Sequence, residues 1–391
     1  MPGGRKKREA SVEFWIEAVR GASTAGAEVA REAAVKWRRA LRDVEEGLSR
    51  LLPAPSLEDL LAYPGTPVSR GARRGLGPVY GVDSSRTKPV RVGFRLVSFI
   101  SAAAVRLPPR DSQDEARVEF MRVSPKIVPE DAPPEKALLE ITLEMFRLEA
   151  EALHEASKEG VPVYLDGPIV DPPSLSRSVS GGLEEKYRRY VERRAEAAAR
   201  LGGSIVGFVK RLTGRMYADM LFEETGWEWL REVNDYFLAQ AYAHQVAGIL
   251  RGMGECRGDR VAAIVTKPYP LPAERAPDVR VYEEAMGGWR VYHALTVPGA
   301  CSGNMRKPAR IEFLVPPGGD PSEAALEAAA MVEARLVEGA WMPEPVLLAH
   351  KACTIRRRES LKLLREAATR YARKTVESEG RPPPGFEWLL D

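Results

Sequence analysis

The chain has 391 residues, 44% of them hydrophobic, enough for one large core or two ordinary ones. A formal net charge of +3 is too small to argue for nucleic acid by itself, and three cysteines without CxxC or Cys/His clustering argue against a disulfide framework or structural zinc. No apolar run is long enough to cross a bilayer, and the N-terminal Met-Pro-Gly-Gly-Arg-Lys-Lys-Arg lacks a signal peptide's apolar stretch, so a cytoplasmic chain with no membrane partner is expected.

Residues from about 10 to 52 are almost free of Pro and rich in Ala, Glu and Arg, which predicts one or two long N-terminal helices. A Pro- and Gly-punctuated linker from Leu52 to Pro78 follows, so that 1–75 reads as a helical region and linker ahead of one larger unit, 76–391. Strands are expected near 78–83, 91–106 and 117–127, the last two alternating enough for an antiparallel meander. A helix from Pro134 to Lys158 leads into a strand ending at Asp166. Helix 184–200, a strand over 202–210 and helix 227–250 come next, with a helical insertion at about 184–255. Strands near 261–266, 289–297 and 309–315 precede helices at 322–339 and 351–379, with Val346 to Leu348 read as a strand feeding the last.

Two of these strands end alike. Val-Tyr-Gly-Val-Asp-Ser-Ser-Arg-Thr delivers Asp83, and Val-Pro-Val-Tyr-Leu-Asp-Gly-Pro-Ile delivers Asp166, each where small residues break a β-branched, aromatic run. A single strand-end aspartate usually caps a turn. Two such ends side by side would offer acceptor-only carboxylates to one hard divalent cation, the way phosphodiester-cleaving metal sites are built.

A third carboxylate is expected on helix 134–158. At about 100° per residue, Leu138, Ile141, Leu148, Ala152 and Ala156 fall within about 60° of Met145, and Glu149 about 40° away, whereas Glu140, Glu144, Glu151 and Glu155 lie off the stripe. A carboxylate on a packed face needs a compensating charge. Either a metal shared with Asp83 and Asp166 or a structural ion pair with an arginine would supply it.

Three strands, a helix, a strand, a helix and another strand is the order of the ribonuclease H-like fold, a mixed β-sheet with flanking helices, so an α/β chain is expected. The sequence resembles the NurA family of DNA-end-processing nucleases, in Gly81-Val82-Asp83-Ser84-Ser85, Leu165-Asp166-Gly167-Pro168-Ile169 and Pro343-Glu344-Pro345-Val346-Leu347-Leu348-Ala349-His350-Lys351. Val206-Gly207-Phe208-Val209-Lys210 and Arg310-Ile311-Glu312-Phe313 resemble the strands between. The resemblance spans roughly 75–370. It implies a homodimeric, manganese-dependent nuclease on single- and double-stranded DNA that works with the hexameric translocase HerA in end resection. It places a glutamate on the helix before Asp166, with Glu144 as the alternative to Glu149, and gives His350 a role beside the metal, as ligand or in positioning phosphate and water. The family usually carries a tyrosine eight residues before this histidine, where the chain has Met342, whose thioether cannot donate the phenolic hydrogen bond. Trp341 or another residue then serves, or the task is dispensable, or cleavage is slower.

Other residues carry two readings each. Lys210 ends a strand and would contact a phosphate as a point charge, or merely protect a sheet edge. Glu312 is a weaker candidate for an additional acid. Arg86 and Lys351 adjoin the aspartate and histidine motifs as candidate DNA contacts, while Arg5 to Arg8, Arg70, Arg73, Arg74 and Arg356 to Arg358 read equally as solvated faces. His154, His244 and His293 have no such context, and Trp227, Trp229, Tyr236 and Phe237 fit packing before base stacking. The 29% of charged residues, heavy in Arg and Glu, suits a thermophile's ion-pair-rich surface.

Asp83, Glu149 and Asp166, with His350 beside them, are therefore expected to hold Mn²⁺, or alternatively Mg²⁺, because carboxylates with one imidazole suit manganese better than a pure oxygen shell does. With no base-reading motif, DNA recognition would be of backbone and strand shape. The rival readings are another ribonuclease H-like nuclease and a non-catalytic DNA-binding clamp.

Overall fold

The computed structural model describes residues 65–69, 76–92, 95–129, 132–170, 179, 182–252, 261–274, 276–299, 307–336 and 342–356, with scattered positions between 359 and 381. The expected N-terminal helices, the arginines at 5–8 and 70–74, Cys256, Cys301 and Trp341 lie outside these residues.

In chain order the elements are β1 (Gly65–Ser69), β2 (Val79–Arg86), β3 (Val90–Val92), β4 (Arg95–Leu107), β5 (Arg117–Pro129), α1 (Pro134–Ala156), β6 (Val163–Asp166), α2 (Glu184–Leu201) and β7 (Ile205–Val209). There follow α3 (Met216–Thr225), α4 (Asp235–Gly252), β8 (Val261–Thr266), β9 (Tyr269–Pro270), α5 (Val279–Ala285), β10 (Arg290–Pro298), β11 (Ala309–Val315), α6 (Pro321–Ala334) and α7 (Glu344–Cys353). All the described strands join one sheet of order β1-β8-β10-β11-β7-β6-β2-β4-β3, with β5 on β4 and β9 on β10.

The middle of that sheet is ribonuclease H-like. The β2–β4–β5 meander is antiparallel, β6 joins β2 in parallel, and β7 joins β6 in parallel. Beyond β7 the sheet continues antiparallel through β11, β10, β8 and β1. Of the strand expected over 202–210, residues 205–209 form β7 after a 3-10 turn at 202–204, and the strands expected near 261–266, 289–297 and 309–315 are present. Residues 65–69, expected as linker, instead supply β1, which pairs antiparallel with β8. The helices α3 and α5 were not expected from the sequence. Both are short: α3 buries Tyr217, Ala218 and Leu221 against the sheet's far half, and α5 buries Val279 and Tyr282 in the cluster it shares with α2.

Strand alternation sorts the core into two layers. Tyr80 and Val82 of β2 pack with Val163 and Leu165 of β6 under α1, α2 and α5. Val79 packs on the other face with Tyr164, Val206, Phe208 and residues of α6 and α7. A third cluster joins α3 and α4 to Ile264, Leu295 and Val297, and Trp227 and Trp229 pack against it, stacked 5.9 Å apart. On α1, Ile141, Leu148, Ala152 and Ala156 are buried as the stripe requires, but Leu138, in the helix's first turns, is 46% exposed.

Residues 344–353 form a helix, not the expected strand. Pro343 is its N-cap and a proline occupies its first turn, positions where a missing N–H and a fixed φ favour helix starts. This helix lies directly on β2: a Cβ added at Gly81 would come within 1.9 Å of the Pro345 carbonyl oxygen. Only glycine permits the contact. Gly81→Ala should lower stability by about 3 kcal/mol through backbone displacement, read as a shift in urea midpoint; a wild-type midpoint would show that α7 can lift without loss.

Candidate metal centre

Asp83 and Asp166 meet because β2 and β6 run parallel in a fixed register, with Val82 opposite Leu165. One residue further along, both aspartates project to the face that carries Val79 and Tyr164. That face is covered by α7, whose last turns bring His350 and Cys353 over Asp83. His350 Nδ1 lies 2.7 Å from Asp83 Oδ2 and 3.6 Å from Asp166 Oδ2. One ligand atom from each of the three residues lies within 4.8 Å of the others. The His350 side chain is 47% exposed whereas those of Asp83 and Asp166 are 7% and 5% exposed, so the imidazole stands at the mouth of a carboxylate pocket.

Each carboxylate has its own support. Asp83 Oδ1 accepts from the Ser84 amide at 2.7 Å, and Oδ2 accepts from Cys353 Sγ at 3.3 Å. Lys210, immediately beyond β7, pairs with Asp166 Oδ2. Burial, then the charge of Asp166, then that of Glu149, pushes the Asp83 carboxyl up to about 8. Burial likewise pushes the Cys353 thiol up, with Asp83 adding to the effect, so it remains a neutral donor. Two carboxylates and one imidazole facing a common point fit a hard divalent cation of the Mn²⁺ or Mg²⁺ type.

Glu149 is buried, as the α1 stripe requires, but it stands on the opposite side of β2, where alternation turns Ser84. Its Oε2 accepts from Ser84 Oγ and its Oε1 from Arg194 Nη1 at 2.5 Å. The compensating charge is therefore an arginine, and Ser84 links this carboxylate to the residue next to Asp83. Glu144 pairs with Arg147 one turn along α1, away from the cluster.

Arg194 carried no signal in the sequence, since it sits among the many arginines and glutamates of α2. It is completely buried, and only the tertiary contacts show it. Glu312, a possible additional acid, is also buried; its Oε2 accepts the amides of Ile169 and Val170 at 2.8 and 3.3 Å and its Oε1 a bond from Arg310. Arg86 closes β2, and Lys351 is exposed beside His350 on α7.

Met342 is 4% exposed and belongs to the core cluster beneath α6 and α7. It precedes α7, whereas His350 sits near that helix's end, on the order of 10 Å further along the axis. The thioether packs the core and does not line the pocket. Of the other histidines, His293 is fully buried on β10, and His154 and His244 lie on α1 and α4.

A sheet of ribonuclease H-like order, in which one carboxylate from each of two adjacent parallel strands and an imidazole from α7 converge on one point, defines an α/β protein with a candidate divalent-cation site. Residues 77–280 match the family model of the NurA domain. The chain belongs to the NurA family.

No curated protein matches the sequence. Among solved structures, NurA with manganese aligns at 10% identity and a TM-score of 0.45 over 84% of this chain and 97% of that one. NurA bound to dAMP and manganese aligns at 11% identity and a TM-score of 0.39, over 84% and 95%. Endonuclease V of Ciona intestinalis, in complex with DNA containing an inosine, aligns at 16% identity and a TM-score of 0.29, over 74% and 87%.

The raised Asp83 carboxyl has a pH signature. Its protonated form is favoured by the fold, so the associated stability is complete below the ordinary value of 3.8 and is lost as pH rises through about 8. In chelator-treated protein, the melting temperature of wild type should fall relative to that of Asp83→Asn between pH 6 and pH 9; a constant difference would contradict the shift. Glu149→Gln leaves Arg194 buried without its counter-charge and should cost about 3 kcal/mol, measured by denaturant unfolding. An unchanged or raised stability would mean that Arg194 is otherwise compensated.

Proposed function

We propose that the chain is a metal-dependent deoxyribonuclease hydrolysing DNA phosphodiesters. The observation that carries this reading is the convergence of Asp83, Asp166 and His350 on one point of a NurA-family ribonuclease H-like sheet. These three residues would hold Mn²⁺, with Mg²⁺ as the alternative, and Glu149, engaged by Arg194 on the other face of β2, would support them through its hydrogen bond with Ser84 beside Asp83. A bound cation supplies charge stabilisation at the phosphate and lowers the pKa of a water nucleophile.

The protein's own groups do the rest. Asp83 and Asp166 concentrate negative charge in a pocket of low exposure, where only a cation or a proton can balance it. His350, at the mouth, is placed to orient a phosphate oxygen or a water from the solvent side. Lys210 fixes Asp166 and offers an ammonium to a neighbouring phosphate as a point charge. Arg86 and Lys351 flank the pocket on β2 and α7 and would track the backbone of single- or double-stranded DNA, which makes binding sequence-independent and salt-sensitive.

Family membership supports the wider reading: a homodimer that acts with a HerA-type hexameric translocase in resecting DNA ends.

End-labelled single- and double-stranded DNA incubated with Mn²⁺, Mg²⁺ or chelator tests the chemistry. Cleavage should require the metal, and Asp83→Asn and Asp166→Asn should each reduce it roughly 100-fold or more, since ligand charge worth several kcal/mol is removed. Their DNA binding should persist. Metal-independent cleavage, or wild-type turnover in either variant, would overturn the proposal.

A further inference from the structure

The turn that follows Asp166 is gripped from both sides by buried, oppositely charged residues. From α2, Arg194 donates through Nη2 to the carbonyls of Pro168 and Ile169 at 3.0 and 3.2 Å. From β11, Glu312 accepts the amides of Ile169 and Val170. The two side chains are 0% and 1% exposed. Gly207 of β7 lets the turn cross close above it: a Cβ there would lie 2.9 Å from the Gly167 carbonyl oxygen and 3.0 Å from the Ile169 nitrogen.

Neither grip stands alone. Arg194 also donates to Glu149 through Nη1 and, through Nε, to the Tyr282 hydroxyl of α5 at 3.1 Å, with Phe146 of α1 beneath its guanidinium at 5.7 Å. Glu312 is neutralised by Arg310 at 2.9 Å. One guanidinium thus ties the carboxylate on α1, the turn behind Asp166 and the hydroxyl of α5 into a single rigid unit. A lone buried charge is costly, and four bonds from its fork of donors end on fixed acceptors in α1, α5 and the turn.

We infer that Arg194 is a positioning residue for the metal centre, holding Asp166 through its following turn and Glu149 through a direct ion pair, with Glu312 as the counter-grip. This rests on the metal-site reading above. The guanidinium touches none of Asp83, Asp166 and His350; it acts on where two carboxylates stand with respect to Asp83. Lysine at the same position keeps the charge but offers a single nitrogen, which cannot span Glu149 and two carbonyls at once.

Mn²⁺ titration calorimetry on the metal-free full-length chain, with thermal unfolding of the same samples, provides the test. Arg194→Lys should weaken Mn²⁺ binding about 10-fold or more, as loss of a supporting contact behind metal ligands does, and Tyr282→Phe, which removes one acceptor of Arg194, should weaken it less. Asp235→Asn is the control. That buried aspartate accepts the amides of Tyr217 and Ala218 in the α3–α4 region, so its loss should lower stability with Mn²⁺ affinity unchanged. Should Arg194→Lys not fold, Tyr282→Phe alone decides. Wild-type Mn²⁺ affinity in a folded Arg194→Lys, or in Tyr282→Phe when the lysine variant does not fold, overturns the inference while leaving the metal site standing. Equal weakening in Asp235→Asn overturns it as a general stability effect. A wild-type chain that binds no Mn²⁺, or binds it as tightly after Asp83→Asn, overturns the metal-site reading and this inference with it.

Discussion

The parallel pairing of β2 with β6 places two carboxylates side by side on one face of the sheet, and much of the surrounding structure answers that repulsion. Like charges this close cannot both ionise cheaply in a buried pocket. Asp83 responds by holding its proton, Asp166 by pairing with Lys210, and both by facing the His350 imidazole. Each response leaves the pair ready for a divalent cation, which would satisfy both charges at once.

Behind this pocket lies an inner layer of largely buried charges. Glu149 with Arg194, and Glu312 with Arg310, are matched pairs; Glu149, Arg194 and Glu312 make further bonds to hydroxyls or backbone atoms, whereas Arg310 turns its Nη1 to the Met216 sulfur. Buried pairs of this kind add little net stability compared with apolar packing. What they add is direction, because guanidinium and carboxylate geometry fixes angles that leucine and valine leave loose. Glu149 has both properties: it occupies the apolar stripe of α1, as helical phase requires, yet a tertiary contact with α2 supplies its counter-charge.

At the C-terminal end of the site a short apolar run that reads as strand is folded as helix. Val346, Leu347 and Leu348 look like a buried strand in isolation, since a short apolar run does not distinguish strand from helix. Pro343 and a proline in the first turn of α7 carry the deciding signal, as both positions suit a helix start. With α7 helical, His350 and Cys353 lie nearly on one side, one turn apart, and both reach Asp83. The same helix explains Gly81, which leaves room for the Pro345 carbonyl, and places Met342 in the core and away from the pocket.

The sequence by itself determined the strand meander, the two strands that carry Asp83 and Asp166, and the buried phase of α1, because period-two and period-3.6 patterns are local signals. The small residues after Asp83, by contrast, did not end its strand, which runs on to Arg86. The motif containing His350 was legible as well, though not the helix that presents it. Only the tertiary structure decided that β1 completes the sheet's far edge, that Lys210 pairs with Asp166, and that Arg194 and Glu312 hold the turn after Asp166. Those contacts join residues far apart in sequence, and an arginine or glutamate in an Arg- and Glu-rich helix or strand looks the same whether it faces water or a buried partner. Periodicity records which face a residue occupies; only the packed fold records which charge stands opposite.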